Sequence, residues 1–324
     1  MVIGSNSFSG SHFVDYTLQA ESKIIGISRS PEPNAVFLPY KKRQNPTFRF
    51  YQLDLNYDLE QIIKIIQEFQ PSYVVNFAAQ SMVAESWRHP EHWFQTNVVA
   101  NIKLHDQLRQ CDFLKKYIHV STPEVYGACH GLVQESTNYN PSTPYAVSRA
   151  AADMSLMVFF KAYSFPVVFT RAANVYGPGQ QLYRIIPRTI LYFLIGKKLQ
   201  LHGGVHCVRS FIHIRDVADG TLKVTRKAEP GRIFHLSTSR NISIRSLVKL
   251  MAEQMSVSFE DHVEVVGERL GKDSAYLLDS RKAKETLGWK DRISLEEGIE
   301  ETIGWVKDNL AELKKQPFEY IHKP

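Results

Sequence analysis

The sequence is poor in cysteine and contains no long apolar run. Its 324 residues include three cysteines, at positions 111, 129 and 207, too few and too widely spaced for a disulfide framework or a close-spaced metal site. The most apolar stretch, 185–195, is interrupted by Pro187 and Arg188 and falls short of the ~20 residues that cross a bilayer. We therefore expect no disulfide, no membrane span and a packed helix at 185–195.

A clustered basic segment is also missing. The net charge of +6 arises from 39 lysines and arginines spread along the chain against 33 acidic residues, without the basic and aromatic clusters that bind nucleic acid. The first residues run into an apolar strand and a glycine turn, which leaves no room for a signal peptide. We expect a soluble, cytoplasmic protein that binds neither nucleic acid nor membranes. We expect no metal site either, because His206 and His213 have no second ligand at metal spacing.

Short β-rich runs alternate with helical stretches through the first half of the chain. Strand candidates occupy 1–3, 24–28, 49–52, 73–77, 117–121 and 167–171, and helical periodicity marks 59–69 and 97–110. The alternation predicts an α/β fold with a Rossmann-type, doubly wound parallel sheet, whose ligands gather at the carboxyl ends of the strands. After about residue 177 the rhythm loosens, up to an amphipathic helix expected at 295–313. We predict that 1–176 is mainly the cofactor domain and 177–324 mainly a smaller substrate lobe, with some segments returning to the first domain.

A glycine turn follows the first strand candidate and precedes helix-like sequence. Gly4 and Gly10 bound the segment GSNSFSG, where amides at a helix N-terminus can approach a pyrophosphate. Ser7 stands where a third glycine is usual, and Phe8 follows it. The glycines alone fit an ordinary turn equally well. Their position after the first strand favours a dinucleotide site.

The end of the second strand candidate bears on the identity of the dinucleotide. An Asp or Glu usually binds the ribose 2′-hydroxyl there, but the sequence has Arg29. A guanidinium suits a 2′-phosphate, so we predict NADP, with NAD as the alternative. A solvated loop arginine is the competing interpretation.

Three later segments carry a family resemblance. They are NFAAQS at 76–81, STPEVYG at 121–127 and PYAVSR at 144–149, in the order typical of extended short-chain dehydrogenases/reductases. With the segments beyond them, the resemblance covers nearly the whole chain. It is similar to the nucleotide-sugar 4,6-dehydratases that act on GDP-mannose, GDP-N-acetylglucosamine or dTDP-glucose, and AAQS resembles the GDP-mannose branch in particular. The resemblance implies a homodimer packed on the helices after Asn97 and Tyr145, and a role in bacterial surface glycan synthesis.

The resemblance implies roles for four catalytic side chains. Tyr145 takes the proton of the sugar C4 hydroxyl as a tyrosinate kept ionised by positive charge, and Thr122 hydrogen-bonds the same hydroxyl. Arg149 replaces the lysine usual four positions after the tyrosine, which keeps the charge but presents a bulkier fork. Glu124 takes the C5 proton. Because Pro123 stands where related enzymes have a proton-donating aspartate, Glu124 also assists departure of the C6 hydroxyl.

The resemblance likewise implies the residues that hold the two ligands. Arginines bind a diphosphate through charge-assisted, often bidentate contacts. We expect substrate contacts from Gln80, Ser81, Asn174, Arg184, Arg209 and Arg269. We expect cofactor contacts from Gly4, Ser7, Phe8, Gly10, Arg29, Asp54, Leu55, Ala78, Tyr145 and Arg149.

Other interpretations stay open. A nucleotide-sugar 4-epimerase shares the fold, the tyrosine and the arginines, although its turn usually carries serine or alanine where Glu124 stands. UDP-glucuronate decarboxylases have the glutamate but differ in the segment that leads to Tyr145. The departures at Ser7, Pro123 and Arg149 are compatible with a cofactor-binding homologue that does not turn over.

Overall fold

The computed structural model describes residues 1–20, 22–43, 47–128, 131–202, 208–267 and 275–324. Its strands are β1 Val2–Ile3, β2 Ile24–Ser28, β3 Phe48–Gln52, β4 Tyr73–Asn76, β5 Lys116–Val120, β6 Leu132–Val133, β7 Val167–Ala172, β8 Asn174–Tyr176, β9 Leu199–His202, β10 Val208–His213, β11 Ile233–Leu236, β12 Asn241–Ser243, β13 Val263–Val266 and β14 Ala275–Leu278. Its α-helices are α1 Phe8–Leu18, α2 Leu59–Phe69, α3 Pro90–Phe94, α4 Asn101–Leu108, α5 Pro144–Tyr163, α6 Ile185–Leu194, α7 Ile214–Lys227, α8 Ile244–Gln254, α9 Phe259–His262, α10 Arg281–Leu287, α11 Leu295–Asp308 and α12 Leu310–Leu313.

The central sheet is parallel throughout and has the strand order β3-β2-β1-β4-β5-β7-β11. Its strands are apolar because both faces are covered: Val75 and Ile118 pack in one cluster, whereas their neighbours Val74 and Tyr117 pack in another. The strand order reverses between β1 and β4, which opens a crevice at their carboxyl ends. The predicted doubly wound parallel sheet is confirmed, and each predicted strand is present within two residues of its expected bounds.

The seventh strand of this sheet was not predicted. β11 pairs with β7 at the sheet edge although it lies well beyond residue 177. The other strands form a sheet of order β12-β10-β14-β6, with β8 beside β10, and a pair β13-β9. β6 comes from the first half of the chain and β11 from the second, so each half contributes a strand to the sheet formed mainly by the other half. The division at residue 176 stays a prediction.

Of the four predicted helices, two agree with the structure, the one at 97–110 is present as α4 preceded by a π-helical turn at Gln95–Ala100, and the fourth is interrupted. α2 spans 59–69, and α6 is the packed helix expected at 185–195. The helix predicted at 295–313 ends at Asp308, and α12 resumes at Leu310. The side-chain amide of Asn309 donates to the Trp305 carbonyl at 2.8 Å and so satisfies a carbonyl at that break. None of the helices given above combines the length and apolarity that crossing a membrane requires.

Candidate active site

The turn between β1 and α1 packs its backbone closely against the segment that follows β4. Gly4 has φ +77°, and a side chain there would lie 2.7 Å from the amide nitrogen of Ala78. A Cβ on Gly10 would lie 2.0 Å from the Gly4 carbonyl oxygen. Ser7 has φ −71° and therefore needs no glycine, and its hydroxyl accepts a bond from the Gly10 amide at 3.1 Å. Serine in the middle position thus caps α1 and leaves the close approach of the turn intact.

Two cavities lie along the crevice. The smaller, of about 160 Å³, is lined by predicted cofactor residues and one predicted substrate residue, namely Gly4, Ser7, Arg29, Asp54, Leu55, Ala78 and Gln80. The larger, of about 630 Å³, is lined by Ser7, Phe8, Ser81, Thr122, Glu124, Tyr145, Arg149, Asn174, Arg184 and Arg209. Gln80 differs from expectation, since it lines the cofactor-side cavity and donates to the Lys323 carbonyl at 2.6 Å. Arg269 lies outside the described residues.

The predicted catalytic side chains line one cavity because two helix starts meet there. Thr122 follows β5 and caps a 3₁₀ turn at Pro123–Tyr126, accepting from the Glu124 amide at 3.3 Å. Pro123 takes the first position of that turn, where its missing N–H costs nothing. Tyr145 lies at the start of α5 and hydrogen-bonds Thr122. The departure at Pro123 is therefore compatible with the turn that positions Glu124.

Tyr145 is not kept ionised by the protein alone. Burial raises the pKa of its phenol above the usual value of about 10, Arg149 opposes that rise, and Glu124 adds to it. Arg149 thus acts in the predicted direction, but burial outweighs it. The tyrosinate stays a prediction for the cofactor-bound protein: in the chain alone, burial favours the protonated phenol.

Arg149 is buried one helical turn beyond Tyr145. Its Nη2 donates to the Val120 carbonyl and lies 3.2 Å from Nε2 of His119. Its Nε is buried without a hydrogen-bond partner. Arg149 itself lines the larger cavity, and a guanidinium with one donor left unpaired there suits a ribose hydroxyl. Together with the glycine turn, it shows that the residues present fit a nicotinamide dinucleotide.

A buried charged network behind this site was not predicted. Asp153 accepts from the Ser121 hydroxyl and from Nη2 of Arg171, both at 2.8 Å, and His119 lies 3.3 Å away. Burial alone would raise the pKa of Asp153, but Arg171 and His119 lower it to about 2. The sequence held one signal: Asp153 lies four residues after Arg149 and hence on the same face of α5.

The polar residues at the other wall of the larger cavity come from the second half of the chain. Arg184 precedes α6, with its guanidinium 5.3 Å from the centre of the Tyr183 ring. Arg209 lies in β10, and Asn174 begins the neighbouring strand β8. Two guanidinium groups lining one cavity are suited to a diphosphate.

Among the described residues, no histidine lines either cavity. His213 is buried, with Nε2 3.2 Å from Glu301, whereas His206 lies outside the described residues. His89, Glu91 and His92 bring potential metal-ligand atoms within 4.8 Å of one another. None of these three lines either cavity.

The parallel sheet, its glycine turn and the pair Thr122 and Tyr145, with Arg149 in place of the usual lysine, are typical of an extended short-chain dehydrogenase/reductase. The family model for GDP-mannose 4,6 dehydratase matches residues 1–302, so the chain belongs to this family of nucleotide-sugar 4,6-dehydratases.

Known relatives agree with this assignment. The chain is 31% identical to a dTDP-glucose 4,6-dehydratase of Streptomyces antibioticus, over 98% of this chain and 96% of that one. A dTDP-glucose 4,6-dehydratase structure from Streptomyces venezuelae with NAD bound has a TM-score of 0.89 at 28% identity, covering 96% and 97% of the two chains. The chain is also 28% identical, over 95% of its residues, to a trifunctional UDP-glucose 4,6-dehydratase of Arabidopsis thaliana. It spans about half, 47%, of that longer protein.

Proposed function

We propose that the chain dehydrates a nucleotide-activated hexose to the corresponding 4-keto-6-deoxy sugar. The observation that carries this proposal is that Glu124 lines the same cavity as Thr122 and Tyr145. Epimerisation at C4 needs a hydroxyl base and hydride transfer only. Dehydration needs in addition a base for the C5 proton, and a carboxylate beside the tyrosine suits that task.

The nicotinamide dinucleotide, when bound, accepts hydride from the sugar C4 and returns it to C6. Tyr145 receives the proton of the C4 hydroxyl, Thr122 holds that hydroxyl, and Arg149 favours the ionised phenol. Glu124 removes the C5 proton that the 4-ketone acidifies and passes a proton to the departing C6 hydroxyl. Pro123 has no proton to transfer, so a single carboxylate performs both tasks. The net change is the loss of one water.

We propose a nucleoside-diphosphate hexose as the substrate, held by Asn174, Arg184 and Arg209. Ser81 lines the same cavity and is proposed to contact the sugar. The AAQS segment favours a GDP-linked sugar, whereas the Streptomyces relatives are named for dTDP-glucose. The contribution of Arg269 and the role in bacterial surface glycan synthesis stay predictions.

We further propose NADP as the preferred cofactor, although the Streptomyces venezuelae structure was solved with NAD. Arg29 follows β2 and lines the smaller cavity, and Lys323 Nζ donates to the neighbouring Ser30 hydroxyl at 2.9 Å, so two cations lie near the expected position of the ribose. Among the described residues, the carboxylate that lines this cavity is Asp54, after β3. Titration should show NADP binding at least about tenfold more tightly than NAD. Equal or tighter binding of NAD would contradict the proposal.

We also propose that the protein is a homodimer. Val147, Met154 and Val158 are exposed on α5, and Val99 and Ile102 are exposed on the neighbouring 95–108 segment. The spacing of the three α5 residues places them on one helix face. Exposed apolar side chains on two adjacent helices suit a second copy of the chain.

The activity is tested by incubating the purified protein separately with GDP-mannose, GDP-N-acetylglucosamine, dTDP-glucose and UDP-N-acetylglucosamine. We expect one of them to lose one water and gain a 4-keto group, as read by mass spectrometry. An isomer of unchanged mass would indicate an epimerase. Cofactor binding without conversion of any of the four would indicate a homologue that does not turn over.

A further inference from the structure

A segment without helix or strand crosses from the substrate side to the cofactor side. We call residues 317–323 the strap. Its first half contacts residues that precede or belong to α6: Phe318 packs against Tyr192, Glu319 pairs with Arg188, and the Tyr320 ring lies 5.4 Å from that of Tyr183. Tyr183 also lines the larger cavity. The strap therefore starts at the rim of the substrate site.

His322 anchors the second half of the strap. Its ring stacks on the buried Trp93 with centroids 5.2 Å apart and planes inclined by 6°. Its Nε2 lies 2.8 Å from Nδ1 of His92, a hydrogen bond between the strap and α3. An aromatic stack with a hydrogen bond fixes the direction of this half.

Lys323 forms hydrogen bonds with residues on both sides of the cofactor crevice. Its carbonyl oxygen accepts from Nε2 of Gln80 at 2.6 Å and from Nη2 of Arg29 at 3.1 Å. Its ammonium donates to the Ser30 hydroxyl at 2.9 Å. Gln80 follows β4 and Arg29 follows β2, with β1 and its glycine turn between them. The strap thus spans the crevice above the turn.

The strap lies at the edge of the smaller cavity, and residues 317–323 are not among those that line it. The residues that line this cavity all come from the first half of the chain, between Ile3 and Thr96. Arg29, Ser30 and Gln80 line the cavity and bond the strap as well. A ligand in the cavity would therefore contact residues that also hold the strap.

We infer that the strap is part of the cofactor site and retains the bound dinucleotide between the two hydride transfers. This inference rests on the proposed function, in which hydride leaves C4 and must return to C6 within one turnover. A cofactor released between these steps would leave the sugar oxidised and the reaction incomplete. A strap held across the crevice by Gln80, Arg29 and His322 slows that release.

The test measures release of NADPH and of NADH from the full chain, by fluorescence after a chase with excess oxidised cofactor. His322→Ala removes the stack, and a variant ending at residue 316 removes the strap. We expect release to accelerate about tenfold for His322→Ala and further for the truncation. Ile321→Ala is the matched control, because this side chain is 64% exposed, and should change release by less than about twofold.

A second readout does not depend on turnover. Amide hydrogen exchange in 318–323 should slow when cofactor is added, while the cofactor-free His322→Ala chain should still unfold in one cooperative thermal transition. Equal rates of cofactor release from the parent, His322→Ala and truncated chains would overturn the proposed role of the strap and leave the proposed function standing. Tighter cofactor binding by the truncated chain would overturn it too, since the segment would then compete with the cofactor. A parent chain that binds neither dinucleotide would overturn both proposals.

Discussion

Asp153 and Arg171 form an ion pair of 2.8 Å in which neither side chain is exposed. The pair ties α5, which carries Tyr145, to β7, and it also receives the Ser121 hydroxyl. Asp153→Asn should lower the free energy of unfolding by about 3–5 kcal/mol, because it leaves a buried guanidinium without its counter-charge. Urea unfolding measures the loss. The control Asp106→Asn, in the partly exposed pair with Arg109, should cost less than about 1 kcal/mol. Equal losses at the two sites would refute the buried role.

The charge of Arg149 should set the pH at which activity appears. Burial raises the pKa of Tyr145 and Arg149 opposes the rise, so Arg149→Met should raise that pKa further. The rising limb of the pH–rate profile should then move to higher pH, with a loss of about 10²-fold or more at neutral pH. Arg149→Lys keeps the charge and should hold the limb near its original position. An unshifted profile for Arg149→Met would exclude this role.

Stability should fall on mild acidification because buried histidines stay neutral in the folded protein. Burial lowers the pKa of His12 to about 4 and that of His235 to about 3. The unfolded chain binds these protons near pH 6.5, so their stabilisation is complete above that pH and declines towards pH 4 and 3. Each histidine contributes a slope of up to about 1.4 kcal/mol per pH unit. Urea unfolding at about pH 7.5 and about pH 5.5 checks this. Equal or greater stability at the lower pH would contradict it.

The apolar face of α5 should carry the dimer. Met154→Glu and Val158→Glu place charges at side chains that are 53% and 60% exposed in the single chain. We expect each to shift the mass seen by light scattering from dimer to monomer, because an interface buries such charges without partners. Val265→Glu, at an equally exposed valine on β13, should leave the mass unchanged. A monomeric parent chain would contradict the proposed homodimer.

The alternation of strands and helices made most of the fold predictable, because parallel strands covered on both faces appear as short apolar runs. β11 was not predicted, because a strand of only four residues shows no periodicity of its own. The break at Asn309 escaped for a different reason. The apolar spacing continues across it, and the bond from the Asn309 side chain to the Trp305 carbonyl leaves no trace in that spacing.

The order of the three sequence segments made it possible to predict that Thr122, Glu124 and Tyr145 share one cavity. Each of them lies at a strand end or helix start whose position the fold dictates. The partners of Gln80 could not be predicted, since Lys323 lies 243 residues away. The network around Asp153 was missed because single charged residues give no sign of burial until their neighbours are known. The raised pKa of Tyr145 follows from the same burial.

The most direct test of the account follows a deuterium placed at C4 of whichever nucleotide sugar is converted. If Tyr145 supports oxidation of the sugar at C4 and Glu124 then supports dehydration, the product has lost one water and carries the deuterium at C6. Glu124→Gln should abolish that product, with its cofactor affinity unchanged. A product of unchanged mass with the deuterium still at C4, or full dehydration by Glu124→Gln, would contradict the account.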